Sequence, residues 1–199
     1  MSREAERGGD PAARLGPGAL ALVLGPSGVG KDALIASARE LLATDPRFVF
    51  PERVVTRLPH AAESHGSMSA DAFDEAESQG RFALTWQAHG LSYGIPVSID
   101  RAIREGCVVV VNGSRTIGGA ARRRYARASL ILIDCPVEIR AARIAARGRE
   151  RGTDIEARLN RGVATFDPGD ADVRIDNSGT LAGGVQTLVR VLESLAHPA

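Results

Sequence analysis

The run Gly25-Pro26-Ser27-Gly28-Val29-Gly30-Lys31 constrains this chain more than any other stretch. Its spacing, G-x-x-x-x-G-K, cradles phosphate with backbone N–H groups and needs a strand before it and a helix after it. Lys31 is also the only lysine in 199 residues; every other Lys or Arg is an arginine. A chain that uses arginine elsewhere and lysine here calls for a compact ammonium at this point, not a planar fork.

The flanking residues supply the required context. Ala19 to Leu24 is a continuous apolar run of the length of a buried strand, and Ala33, Leu34, Ile35, Leu41 and Leu42, with Ala36 and Ala38, read as a helix. A purely structural glycine-rich turn is the alternative, and the strand, loop and helix order speaks against it. In the phosphate reading, the glycine-rich turn brings successive N–H groups onto ATP phosphate oxygens, the helix N-terminus assists, and Lys31 places a point charge on the β and γ phosphates. Asp32 stands where Ser or Thr usually offers a hydroxyl to Mg²⁺. A carboxylate can hold the metal directly or through water, and without metal it repels phosphate, so strongly Mg²⁺-dependent nucleotide binding is expected.

Composition narrows the class. With 44% apolar residues, one α/β domain with a proper core is expected. A net charge of +1 provides no field for nucleic acid or a membrane surface, and 4% aromatics are too few for base-stacking platforms. No stretch reaches the roughly 18 to 20 apolar residues that span a bilayer. Cys107 and Cys135 form no C-x-x-C pair and read as buried, reduced thiols of a cytoplasmic protein. Residues 1–18 lack an apolar segment and read as a disordered tail, leaving 19–199 as the folded domain.

Along that domain, Phe48 to Thr56 is rich in β-formers interrupted by Pro51, and the polar stretch to Ser69 reads as a loop or insertion. Ser69 and Asp71 can cap a short helix through Gln79; Arg81 to Trp86 reads as a strand to which Leu91 to Ile95 returns antiparallel. Residues of about 53–96 therefore form a small α+β insertion. The core resumes with a helix over Val97 to Glu105 and strands at Cys107 to Val111, Leu130 to Ile133 and Val173 to Ile175, closed by a helix from about Thr180 to Leu195. Apolar strands without alternation, separated by helices, imply a parallel sheet covered on both faces, with ligands beyond the carboxyl ends of the strands. Those ends carry Lys31, Asn112-Gly113-Ser114-Arg115 and Asp134.

Arg140, Arg143, Arg147 and Arg151 fall three, four and four residues apart, so a helix stacks them on one face. A solvated face is one reading. The other is a lid over about 140–156: Gly148 and Gly152 break the helix, and Asp154 starts a further one bearing Arg158 and Arg161. Such an element closes over a nucleotide and neutralises phosphoryl charge as it develops. In the insertion, Arg57 can hold a phosphate through its fork and Tyr93 can donate a phenolic proton, although a surface arginine and a core tyrosine would look the same. Arg122-Arg123-Arg124 with Arg127 read as a solvated helix face.

Taken in order, the glycine loop, Val55-Thr56-Arg57-Leu58-Pro59, Glu63, Gly66, Tyr93-Gly94 and Arg140 to Arg158 resemble the guanylate-kinase-like nucleoside monophosphate kinases over roughly residues 19–195. The resemblance implies a P-loop, three-layer α/β/α fold with a parallel core sheet, an acceptor-binding insertion and an arginine-rich lid. The departures change the acceptor. Leu84-Thr85 replaces the Leu-Glu pair whose carboxylate reads guanine, His60 replaces an arginine, and the Tyr-x-Phe that follows the glycine is missing after Gly66. A hydroxyl cannot accept two N–H bonds as a carboxylate does, so GMP is not the expected acceptor.

Gly-Lys-Asp at residues 30–32, Val111-Asn112-Gly113-Ser114-Arg115, Ala145-Ala146-Arg147-Gly148-Arg149-Glu150 and Ile175-Asp176-Asn177-Ser178-Gly179 are instead similar to the ribose 1,5-bisphosphate phosphokinases. That resemblance implies transfer of the γ-phosphoryl of ATP to the 1-phosphate of ribose 1,5-bisphosphate, forming phosphoribosyl diphosphate, often in phosphonate degradation. With that reaction, Asp32 is assigned to Mg²⁺, Arg57, Tyr93 and Arg115 to the sugar phosphates, and Arg140, Arg143, Arg147 and Arg151 to the lid; the resemblance alone assigns Asn177 and Gly179 to the adenine. An ionised phosphate acceptor needs no general base; it needs alignment and charge cancellation. Two alternatives remain: a same-fold kinase of another nucleoside monophosphate or phosphorylated sugar, and a non-catalytic interaction module of the guanylate-kinase type.

Overall fold

The computed structural model describes residues 14–56, 66–88, 90–146 and 170–197. At its centre lies β1 (Ala19–Leu24), six residues that are all buried. Such a strand needs neighbours on both edges and both faces, and it has them. It pairs in parallel with β7 (Val108–Asn112) on one side and β8 (Ala128–Asp134) on the other. The two-residue β2 (Phe48–Val49) extends the sheet beyond β7, and β9 (Val173–Asp176) extends it beyond β8, giving the order β2-β7-β1-β8-β9.

Alternate residues of β1 feed two separate cores. Ala19, Ala21 and Val23 face a layer with Leu34 and Ala38 of α1 (Lys31–Leu41) and Val185, Leu188 and Leu192 of α6 (Leu181–Ala196). Leu20, Leu22 and Leu24 face the other layer, with Ile99 and Ile103 of α3 (Ile99–Arg104), Ala121 of α4 (Gly118–Arg124) and Tyr125. This two-sided burial is why the strand reads as uniformly apolar and not as alternating. The expected three-layer architecture is present, and α3 is shorter than the Val97 to Glu105 helix expected.

A second sheet has the order β4-β3-β6-β5, formed by β3 (Val54–Thr56), β4 (Ser67–Met68), β5 (Phe82–Ala88) and β6 (Leu91–Pro96). The β5–β6 hairpin is antiparallel, as read from the sequence. Ser69 caps α2 (Ala70–Ser78), its hydroxyl oxygen accepting from the Ala72 N–H at 3.2 Å. Phe73 of that helix stacks on Phe82, ring centres 4.6 Å apart. A Cβ on Gly94 would stand 2.6 Å from the Phe82 ring, so only glycine fits beside it.

Two expectations need correction. The end of the presumed disordered tail, from Arg14 on, is part of the fold: the Leu15 N–H donates to the Arg124 carbonyl at 2.9 Å, and Leu15 forms a bridge with Tyr125. The arginines around 122–127 are anchors, not a merely solvated face. Arg124 forms an ion pair with the buried Asp100, which also accepts from the Tyr125 hydroxyl at 2.7 Å. Arg122 pairs with Asp172 at 2.9 Å, and Arg127 donates to the Leu195 carbonyl at 2.8 Å. Burial alone would raise the Asp100 carboxyl, but the hydrogen bonds from Arg124 and Tyr125 outweigh it and hold the group below the ordinary carboxylate range.

Candidate active site

The glycine loop joins β1 to α1 at the carboxyl edge of the main sheet. Gly25, Gly28 and Gly30 have φ of 145°, 81° and 99°, a region that side chains other than glycine rarely adopt. Space excludes a side chain as well: a Cβ at Gly28 would stand 2.8 Å from Ile144, and one at Gly30 would stand 2.7 Å from the Asn177 amide. Gly30 is the N-cap of α1 and brings no side chain to satisfy the first turn. The helix therefore begins without a side-chain cap where the motif places phosphate.

Lys31, the first residue of α1, folds its ammonium back onto the loop, donating to the Gly25 carbonyl at 2.6 Å and the Pro26 carbonyl at 3.1 Å. Burial pushes its pKa down to about 8; Asp32 opposes the shift, and Arg53 and Arg115 add to it. Asp32 is exposed and accepts from the Asn112 amide at the end of β7, at 2.5 Å. The Oδ1 of Asn112 is buried without a hydrogen-bond partner. One carboxylate beside one unsatisfied amide oxygen fits Mg²⁺, a cation that completes its octahedron with water and substrate phosphate oxygens. Among the described residues no three His, Cys, Asp or Glu side chains converge, so the protein by itself offers no closed metal cage.

Helix α5 (Val137–Ala146) packs against the loop. Its two described arginines, expected to act alike, differ. Arg143 spends its fork on backbone, donating to the Val29 carbonyl at 3.2 Å and the Asn177 carbonyl at 2.9 Å. Arg140 is 7% exposed, and its Nε and Nη1 are buried without a hydrogen-bond partner. The backbone of Arg140 lies against Gly28, and a buried guanidinium cannot shed its proton, so its orphaned N–H groups fit an anion.

Asn177 also differs from its expectation. Only 3% exposed, it donates its amide to the Val29 carbonyl at 2.8 Å. Its side chain therefore braces the loop. Gly179, after β9, is exposed with open space around it. Ser114 accepts from the Thr116 N–H, and Arg115 starts a short 3₁₀ turn beyond β7, near enough to depress Lys31. Tyr93 stacks on Trp86, ring centres 5.1 Å apart and planes 7° from parallel. Arg57, His60, Glu63, Arg147, Arg151, Asp154, Arg158 and Arg161 lie outside the described residues.

Sequence reading overlooked Arg53. It donates to the Asn112 carbonyl at 3.2 Å, and its guanidinium carbon lies over the Tyr93 ring, 5.4 Å from the centre. The only local signal was a charge set among β-formers between Pro51 and Val54; its place between the two sheets follows from topology alone.

No protein-family model matches the chain. It is 47% identical over 179 residues, covering 89% of this chain and 99% of the relative, to a ribose 1,5-bisphosphate phosphokinase PhnN of Methylobacterium radiotolerans. It is 46% identical over 178 residues to the protein of that name from Rhodopseudomonas palustris, covering 89% of this chain and 90% of the relative. Among solved structures, guanylate kinase from Anaplasma phagocytophilum matches with a TM-score of 0.64 at 16% identity, covering 94% of this chain and 89% of that one. At that identity the likeness shows the fold alone.

Proposed function

The chain belongs to the ribose 1,5-bisphosphate phosphokinase family, and from that premise we propose that it transfers the γ-phosphoryl group of ATP to the 1-phosphate of ribose 1,5-bisphosphate, giving 5-phosphoribosyl 1-diphosphate and ADP. A 1-phosphate oxygen forms the new bond to the γ phosphorus while the bond from that phosphorus to the β-bridging oxygen breaks. The acceptor oxygen is already ionised near neutral pH, so no base is required. The reaction of this family often takes place in phosphonate degradation, and we extend that role to this chain.

The geometric observation that carries phosphoryl transfer is Arg140, a buried guanidinium with unsatisfied donors on the helix whose backbone packs against Gly28 of the glycine loop. Gly25 to Gly30 wrap the ATP phosphates, and Lys31 exchanges its bonds to the Gly25 and Pro26 carbonyls for phosphate oxygens. Asp32, held by Asn112, takes Mg²⁺ directly or through water. Bound there, the ion would supply charge neutralisation to the phosphate oxygens. Arg140 cancels charge on the transferring group, whereas Arg143 and Asn177 keep the loop in shape. Arg115 and Tyr93, with Arg57, belong to the sugar phosphates; Arg147 and Arg151 belong to a lid over about 140–156, and Gly179 to the adenine. The folded chain, from Arg14 on, then acts as one kinase domain with an acceptor-binding insertion at about 53–96. No described helix is long and apolar enough to cross a membrane; the free thiols of Cys107 and Cys135 fit the cytoplasmic setting proposed here.

Product identification after incubation with Mg-ATP and ribose 1,5-bisphosphate tests the reading, with GMP and other nucleoside monophosphates as parallel acceptors. Equal amounts of ADP and phosphoribosyl diphosphate are expected. ADP release with a nucleoside monophosphate, and none with the bisphosphate, would overturn it.

A further inference from the structure

We propose that Arg53 touches substrate: it holds the acceptor phosphate nearest the glycine loop and so aligns it with the γ phosphorus. This rests on the phosphoryl-transfer reading above. In β3, Val54 and Val55 pair with Gly94 and Tyr93 of β6. That register starts β3 beside the joint between the two sheets and leaves Arg53, the residue before it, there. One side chain then touches both sheets. Its Nη1 donates to the Asn112 carbonyl at the carboxyl end of β7, and its guanidinium lies over the Tyr93 ring of β6.

The seat leaves donors to spare. A guanidinium carries five N–H groups in a fixed fork. Arg53 is partly buried, its one hydrogen bond in the described structure goes to a backbone carbonyl, and it forms no ion pair with a described carboxylate. Asn112, whose carbonyl holds Arg53, also donates its side-chain amide to Asp32, the residue after Lys31, and Arg115 follows Asn112 by three positions. Asp32 is already engaged by that amide. Cations brought to one place repel one another until an anion arrives. A dianionic phosphate is the ligand class that satisfies such a set, and a fork held on an aromatic face presents its remaining N–H groups without further ordering. Lys31 lies on the nucleotide side and Tyr93 on the acceptor sheet, so the phosphate that Arg53 reaches is the one between them.

Trp86 is the only tryptophan in the chain and stacks on Tyr93, so its fluorescence reports on this seat. The full-length protein, Arg53→Met and Arg53→Lys are each titrated with ribose 1,5-bisphosphate in the absence of nucleotide, by fluorescence and calorimetry in parallel. Each is also titrated with a non-hydrolysable ATP analogue and Mg²⁺. Methionine retains the stem that covers Tyr93 but brings no donors. The expected result is acceptor affinity about ten- to a hundredfold weaker in Arg53→Met, the scale of lost charge-assisted hydrogen bonds. Nucleotide affinity should hold within about twofold, and Arg53→Lys should recover part of the loss. Unchanged acceptor affinity in Arg53→Met, or an equal loss for nucleotide and acceptor, overturns the proposal. If the unaltered protein binds ribose 5-phosphate and not the bisphosphate, the acceptor named above is wrong, and the same variants titrated with that ligand decide the role of Arg53 by the same criteria.

Discussion

Asn177 reaches across 148 positions of sequence to donate its side-chain amide to the Val29 carbonyl oxygen at 2.8 Å. Arg143 bonds to the same carbonyl and to the Asn177 backbone oxygen, so the glycine loop is tied from below before any phosphate arrives. Donors fixed in advance need no reorganisation when charge develops, which is the main way a protein accelerates phosphoryl transfer.

Adding a methyl group at Gly30 should break this tie. The new Cβ would stand 2.7 Å from the Asn177 amide at a φ of +99°. Gly30→Ala is expected to cost about 1–3 kcal/mol in local strain and to weaken ATP-analogue binding at least about tenfold. Calorimetric titration measures it. The double variant with Asn177→Ala should not restore binding, because removing the clash leaves the backbone angle unchanged.

Arg140 and Arg143, three residues apart on one helix, should respond in opposite ways. Arg140→Ala deletes orphaned buried donors, so turnover falls about a hundredfold or more while thermal stability holds or rises. Arg143→Ala removes hydrogen bonds to two carbonyls, so both the unfolding temperature and nucleotide affinity fall. Thermal unfolding and steady-state kinetics on the two variants read the split directly.

Lys31→Ala should cost about tenfold to a thousandfold in turnover, the scale of losing one transition-state donor, with the fold retained. Its pH behaviour has a definite sign. Because the pKa falls from 10.5 to about 8 on folding, the unfolded chain binds more protons between those values, and the contribution of Lys31 to stability rises with pH across that window. A bound triphosphate favours the ammonium, so binding near pH 8 should take up a proton. Calorimetry in buffers of different ionisation enthalpy measures the uptake, which should vanish in Lys31→Met.

Asp100 is the stability counterpart. Its folded pKa is depressed by Arg124 and Tyr125 against the opposing effect of burial. The stability it contributes is therefore complete above the unfolded value of about 3.9 and is lost as pH falls through the lower folded value. Asp100→Asn should destabilise the protein by about 3 kcal/mol, because Arg124 is left without its counter-charge. Denaturant unfolding at pH 7 gives the loss, and the difference between the two proteins should shrink on acidification below about pH 4.

Thr85→Glu should not create a GMP kinase. The Thr85 hydroxyl donates to Glu77 at 2.6 Å, so a new carboxylate would meet an existing one and their repulsion would turn it away. ADP release with GMP should stay at background in a coupled assay.

The chain's own order of residues determined the phosphate loop, the parallel core and most strand and helix positions, because those depend on local spacing. G-x-x-x-x-G-K needs neighbours only a few residues away, and uniform apolar runs such as Ala19–Leu24 announce burial on both faces. The division of labour among polar groups was not legible there. Arg140 and Arg143 look interchangeable along a helix, and the tertiary structure separates them by what happens to lie opposite: carbonyls for one, two nitrogens without a partner for the other. Asn177 became a brace and Arg53 a bridge for the same reason. Hydrogen bonds and charge pairing act over a few ångströms in space, so only the folded arrangement of distant segments decides which donors are spent on the protein and which remain for a substrate.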